Sequence, residues 1–196
     1  MQQPNNFENV KAGGDFTPVE LGGHYCIIKQ VKETVSSTGK PMVVVCFDFD
    51  KNDRQPGYMT ESFKADVRPD KKWPYNGTKW IPTEDRDGNC SKSFKSFITS
   101  FEKSNNCTVV WGDKFEAQFK NKKIGAVYGE VEEEYNGELK PRRQVRWFCT
   151  IDRVSTATIP EKQTASGNGN GSAASSPAGS SDFMAIPDGA EEELPF

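Results

Sequence analysis

Met42-Val43-Val44-Val45-Cys46-Phe47-Asp48-Phe49 carries apolar side chains at every position but one, three of them consecutive valines. A run this rich in β-branched and aromatic residues, too short for a typical helix, predicts a strand, and the most buried strand of the molecule. Upstream, Gly23 to Val35 interleaves Tyr25, Ile27 and Val31 with Lys29, Lys32 and Thr34, a partly alternating strand pattern. Ser36 to Pro41 between them reads as a turn. Downstream, Asp50 to Gly57 is polar and closes on Pro56-Gly57, and Tyr58 to Val67 alternates again, which predicts a third strand.

Pro69 to Asn89 is rich in Pro, Gly, Asp and Trp and is expected to be a long loop. From Ser91 to Lys103 the period changes: Phe94, Phe97, Ile98 and Phe101 fall at i, i+3, i+4 and i+7, the stripe of an amphipathic helix with Ser91 as its N-cap. A short helix or turn is expected at Asp113 to Lys120. Lys123 to Tyr135 and Leu139 to Val154 form a final strand pair joined by Asn136-Gly137, a strong hairpin signal. Five strands with a helix between the third and fourth give the order of an OB-fold, a small Greek-key barrel that binds oligonucleotides. The expected fold is therefore mainly β, a five-stranded OB-fold barrel followed by a disordered tail. A β-sandwich with one helix has the same element order and stands as the alternative.

Composition narrows the function. No apolar run reaches the ~20 residues that span a bilayer, and the N-terminus has no charged-then-apolar secretory pattern, so a soluble cytoplasmic protein is expected. Cys26, Cys46, Cys90, Cys107 and Cys149 are scattered and odd in number, which argues against a disulfide framework or a zinc site. Cys26, Cys46 and Cys149 lie in apolar stretches and read as reduced core residues. His24 is the single histidine, a poor basis for metal or acid–base chemistry. No phosphate-binding or dinucleotide-binding glycine motif is present, so no cofactor is expected. Asp48, Asp50 and Asp53 bunch after the second strand as Mg²⁺ ligands would, but strand-end turn chemistry explains them as well.

The net charge of −3 hides an uneven distribution. All 25 Lys and Arg fall within residues 11–162, while only five of the 28 acids lie beyond Lys162. The body is mildly basic and the tail acidic, an asymmetry that points to nucleic acid as partner of the body. Four regions are expected: an N-terminal extension (1–21), the binding domain (22–160), a Gly/Ser linker (161–181) and an acidic tip (182–196). The stretch Thr164 to Ser181 is nearly all Gly, Ser, Ala, Asn and Thr, and a coil of that length spans roughly 22–25 Å on average.

Binding single strands without sequence preference requires cations along the phosphate path and aromatic faces for the bases. Two stretches supply both. The first is Lys64, Arg68, Lys71, Lys72, Trp73, Tyr75, Lys79 and Trp80, where two tryptophans in a polar loop have few core positions to fill. The bland alternative folds those indoles back onto the barrel. The second is the last strand, where alternation puts Arg142, Gln144 and Arg146 on one face, with Trp147 either in the core or in the groove. Glu132, Glu133 and Glu134 stand across the hairpin and offer the arginines ordinary ion pairs instead. Lys120, Lys122 and Lys123 add a third cationic cluster, of which Lys122 and Lys123 are candidate DNA contacts.

The chain ends Glu191-Glu192-Glu193-Leu194-Pro195-Phe196. A terminal Phe196 presents a ring and an α-carboxylate together, and Pro195 limits the entropy lost on docking. An acidic run closing in Pro-Phe after a Gly/Ser linker resembles the C-terminal tip of bacterial-type single-stranded DNA-binding proteins. The body is more similar to divergent phage-encoded members of that class, through Gly39-Lys40-Pro41-Met42 and through Lys123-Ile124-Gly125 leading to Tyr135-Asn136-Gly137. The resemblance implies an OB-fold that binds single-stranded DNA and a tip that binds replication, recombination or repair proteins, in a bacterial host cytoplasm. Rival expectations are a strand-annealing recombination factor, an interaction adaptor that binds no DNA, and a metal-dependent nuclease. Deleting Glu191 to Phe196 is expected to leave oligonucleotide affinity unchanged or slightly higher, since an acidic tip competes for a basic groove; fluorescence titration of the truncated chain checks this.

Overall fold

A computed structural model of the chain describes residues 2–3, 7–9, 17–135 and 138–164. The Asn136-Gly137 turn, most of the Gly/Ser linker and the acidic tip with Glu191, Glu192, Glu193, Leu194, Pro195 and Phe196 lie outside the described residues. The valine-rich run forms β2 (Pro41–Phe49), buried from Val43 onward. It pairs antiparallel with β1 (Gly22–Val35) on one side and with β3 (Thr78–Pro82) on the other. The far half of the sheet follows from β1, which pairs with β4 (Lys123–Tyr135), itself paired with β5 (Glu138–Cys149). The result is one antiparallel sheet in the order β3-β2-β1-β4-β5. Its two edge strands, β3 and β5, are not joined by a ladder, so the sheet is not a closed barrel.

Three expectations are corrected here. The stretch expected as the third strand forms a helix, α1 (Tyr58–Ala65). Met59 and Phe63 are four residues apart, a spacing that satisfies both the strand and the helix period, so alternation alone does not separate them. Long-range chemistry decides. The Asp48 carboxylate at the end of β2 accepts hydrogen bonds from Met59 N–H (2.9 Å) and Thr60 N–H (3.3 Å), and from the Thr60 hydroxyl. It thereby satisfies donors that the first helical turn leaves open, at a helix end that favours negative charge. The actual third strand, β3, lies inside the segment expected to be loop. In addition, β5 stops at Cys149, and Ile151–Arg153 form a 3-10 turn, so the strand does not run on to Val154.

The helix between β3 and β4 forms as expected. α2 (Lys92–Asn105) is capped by Ser91, whose hydroxyl accepts the Phe94 N–H at 3.1 Å. Phe94, Phe97, Ile98 and Phe101 are all buried. Phe97 and Phe101 pack on Phe119 (5.5 and 4.5 Å between ring centres), which belongs to a 3-10 turn at Glu116–Phe119. Phe97 also meets Phe148 of β5 at 5.3 Å. Phe148 in turn meets Phe47 of β2 at 5.5 Å, so these rings tie α2 to both halves of the sheet.

The acidic bunch after β2 has structural duties. His24 is fully buried, stacked 4.2 Å from Phe49, with Nδ1 2.9 Å from Asp53 Oδ1 and Nε2 2.9 Å from the Glu20 carbonyl oxygen. Asp53 also accepts the Tyr25 and Gln55 N–H groups, and Asp50 accepts from Asn52. The segment before β1 is thereby strapped to the body: Gln55 donates to the Pro18 carbonyl, Arg143 donates to that of Val19, and Val19 is buried. Cys26, Cys46 and Cys149 are free and buried, and burial pushes the Cys46 and Cys149 thiols up to about 11. No described helix is long and apolar enough to cross a membrane.

Two stability predictions follow from this packing. A Cβ on Gly77 would sit 2.7 Å from Trp73 Nε1, 2.8 Å from Met59 Cγ and 2.9 Å from the Phe47 carbonyl oxygen. Gly77→Ala should therefore cost about 1–3 kcal/mol, read as a lower melting temperature. Burial alone would raise the Asp53 carboxyl, but hydrogen bonds from His24, Gln55 and Tyr25 outweigh it and hold Asp53 below the ordinary value. Its stabilisation is then present above the unfolded value of roughly 4 and is lost as pH falls through the lower folded value. Asp53→Asn should flatten that acid limb in denaturant titrations.

Candidate nucleic-acid interface

The two aromatic–cationic stretches, more than sixty residues apart in sequence, come together where the β3 and β5 edges face each other. From the β3 side come Tyr75, in a 3-10 turn at Tyr75–Gly77, and Trp80, their rings 5.5 Å apart and tilted by 35°. From the β5 side comes Arg142, whose guanidinium carbon lies 3.6 Å from the centre of the Tyr75 ring, a close cation–π contact. Tyr75 also donates its hydroxyl to Gln144 Oε1 at 3.1 Å. Both side chains belong to the Arg142–Gln144–Arg146 face expected from alternation.

Lys79 spans the same seam from inside. Alternation along β3 turns Lys79 and Ile81 toward the core, and Lys79 Nζ donates to the Val145 carbonyl of β5 at 2.9 Å. The side chain thus supplies a bond across a gap where no ladder forms. Burial, assisted by the positive charge of Arg146, brings the ammonium down to about 7. Arg146 itself is the extra residue of a β-bulge: Val127 faces Trp147 and Tyr128 faces Val145, leaving Arg146 unpaired in the register. Its stem packs over Gly129, where an added Cβ would stand 2.9 Å from Arg146 Cγ. One guanidinium nitrogen, Nη1, is enclosed with no hydrogen-bond partner, and burial lowers the group below its ordinary value. Trp147, next along the strand, is 44% exposed. It belongs to the surface rather than to the core.

The remaining expected contacts separate from this cluster. Trp73 is 9% exposed and belongs to the core, with Nε1 donating to the Phe47 and Gly77 carbonyls at 3.2 Å each and its ring 5.7 Å from Phe63. Its expected place on a binding surface is corrected: the loop does fold this indole back, because two carbonyls wait for its N–H. Lys79 is corrected in the same sense, since it is 8% exposed and its head is turned to Val145. Lys64 is exposed on α1, Arg68 is held by Asp66 at 2.7 Å, and Lys71 lies 4.7 Å over the Phe63 ring, with the partly buried Lys72 beside it in sequence. Lys122 and Lys123 are exposed at the start of β4, beside the end of α2, where Asn105 accepts the Lys123 N–H.

The glutamates of β4 do pair with cations. Glu133 meets Arg142 at 2.5 Å, Glu130 meets Arg143 at 3.5 Å, and Glu132 meets Lys162 at 2.6 Å. Glu133 is exposed and Arg142 partly so, and a surface pair contributes about 0–1 kcal/mol, so a phosphate can replace the carboxylate at small cost. Among the described residues no group of His, Cys, Asp and Glu could hold a metal ion. One exposed aromatic had no functional signal in the sequence: Trp111, 62% exposed. No protein-family model matches the chain, and no curated protein matches it.

A prediction concerns Lys79. Its folded value near 7 lies below the unfolded value of roughly 10.4, so between the two the unfolded chain holds a proton that the folded one has released. Stability should therefore rise as pH increases from about 7 toward 10, and Lys79→Met should remove that slope in denaturant titrations.

Proposed function

We propose that this chain is a non-enzymatic single-stranded DNA-binding protein whose DNA face is the β3–β5 seam and whose acidic tip recruits other proteins. The observation that carries this reading is the meeting of Tyr75, Trp80, Arg142 and Gln144 from two distant segments. It gives flat π-faces and a guanidinium within one patch, with Arg146 and Trp147 following along β5. Single strands need that combination, because stacking contributes ~1–3 kcal/mol per base with any base and cations release condensed counterions.

The fold supports the same reading. The order β3-β2-β1-β4-β5, with α2 between β3 and β4, is that of a five-stranded Greek-key barrel opened between its third and fifth strands. We take the sheet as an open, OB-like barrel, bridged at this seam by the side chains of Lys79 and Tyr75 where no ladder forms. The resemblance of Glu191 to Phe196 to the tip of bacterial-type single-stranded DNA-binding proteins, and of the body to their phage-encoded relatives, completes the division of labour. The body covers the strand during replication or recombination, and the tip brings repair or replication proteins to it. We favour binding over the nuclease reading because Asp48, Asp50 and Asp53 are each engaged in local hydrogen bonds, with the first turn of α1, with Asn52, and with His24 and two N–H groups.

Fluorescence titration with oligo-dT at several salt concentrations tests the proposal. Tyr75→Ala and Trp80→Ala should each cost about 1–3 kcal/mol of binding. Replacing both Arg142 and Arg146 with Ala should make the slope of log K against log salt shallower by roughly 1.4, the loss of two phosphate contacts on a single strand. Wild-type protein that binds oligo-dT without salt dependence, or not at all, would sink the reading.

A further inference from the structure

Trp111 stands outside the seam. It follows α2 in a loop, Cys107 to Asp113, that is firmly built. Val109 is buried and gives its N–H to Glu102, while Gln118 brackets Val110, accepting its N–H and donating to its carbonyl, each at 2.8 Å. Gly112, at φ +99°, turns the chain, and Phe115 N–H closes the turn on its carbonyl at 2.8 Å. The indole lies flat on Phe115, 5.4 Å between centres and 13° from parallel, with its edge toward Phe94 at 6.2 Å. One face of the ring is covered, yet the side chain is 62% exposed, and the neighbouring Val110 is 61% exposed.

A fixed loop that holds a large flat ring in water forgoes the hydrophobic gain of burying it, which marks a binding residue more than a packing one. The surrounding charge favours a polyanion. Lys92 and Lys95 are exposed on either side of Phe94 in the first turns of α2, which carry no acid before Glu102, and Lys114 is exposed three residues after Trp111. Of the nearby acids, Glu102 and Glu116 are turned to the Val109 and Glu33 N–H groups, at 2.9 and 2.6 Å, and Asp113 is exposed. A partner protein with an apolar patch would use the ring but not the cations. A nucleobase uses the open π-face, and its phosphates use the lysines.

We infer that Trp111, braced by Phe115 and flanked by Lys92, Lys95 and Lys114, is a second base-stacking platform for single-stranded nucleic acid, separate from the β3–β5 seam. It rests on the proposed function and extends the footprint of the strand over α2. Short oligonucleotides occupy one platform and longer ones engage both.

The test is anisotropy of labelled dT oligomers of increasing length with the full chain, its Trp111→Ala and Trp111→Phe variants, and Tyr75→Ala as the seam control. The exposed position of Trp111 leaves folding intact, which melting curves verify. Trp111→Ala should weaken binding of long oligomers about 5–150-fold and leave the shortest bound oligomers unchanged, while Trp111→Phe keeps most of the affinity. Equal affinity of wild type and Trp111→Ala at every length, with Tyr75→Ala still impaired, overturns the second platform alone. Absence of oligonucleotide binding by the wild type overturns the proposed function itself.

Discussion

A sheet edge in a folded protein carries backbone groups that must find partners other than a ladder. Here two such edges, β3 and β5, face each other, and side chains connect them. Lys79 reaches from β3 to the Val145 carbonyl, and Tyr75 reaches to Gln144 on the other side of the seam. Burying an ammonium for this purpose costs stability, visible as a group that gives up its proton near pH 7. What is kept is a seam lined by polar and aromatic side chains, which a closed ladder with an apolar cover would not offer. The bulge at Arg146 belongs to the same arrangement, because the extra residue shifts the register of β5 and sets a cation beside the seam.

Charge on this surface is balanced rather than bare. Three glutamates of β4 each hold a cation, so the basic side of the molecule is partly neutralised in the free protein. The most open of them, Arg142–Glu133, is of the weak surface kind that exchanges readily. In the proposed mechanism a phosphate takes the place of Glu133 at Arg142, while the guanidinium stays over the Tyr75 ring. Binding then gains from counterion release and stacking without rebuilding the site.

Much of the architecture was legible in the amino acids. The valine run of β2, the hairpin strands flanking Asn136-Gly137, and the four-residue stripe of α2 with its Ser91 cap declare themselves through period and turn chemistry. What escaped was decided at a distance. α1 depends on a carboxylate ten residues before it, and Met59 and Phe63 fit either period. β3 is five residues long, ends on a proline and hides in a segment full of loop residues; only its pairing with Met42 to Cys46 makes it a strand. Trp73 and Trp80 look alike in sequence, yet one is buried because the Phe47 and Gly77 carbonyls receive its N–H. The Arg142–Gln144–Arg146 face was readable from alternation, whereas its meeting with Tyr75 was not, since nothing local encodes which edges oppose each other.

The central claim is that a single strand lies along the seam, and photo-crosslinking tests it most directly. Oligo-dT carrying 5-bromouracil is irradiated with the full-length protein, and the adducts are mapped by mass spectrometry. The account predicts adducts at Tyr75, Trp80 and Trp147. Adducts confined to the Lys64–Lys72 segment or to Lys122 and Lys123, with none at the seam, would contradict it.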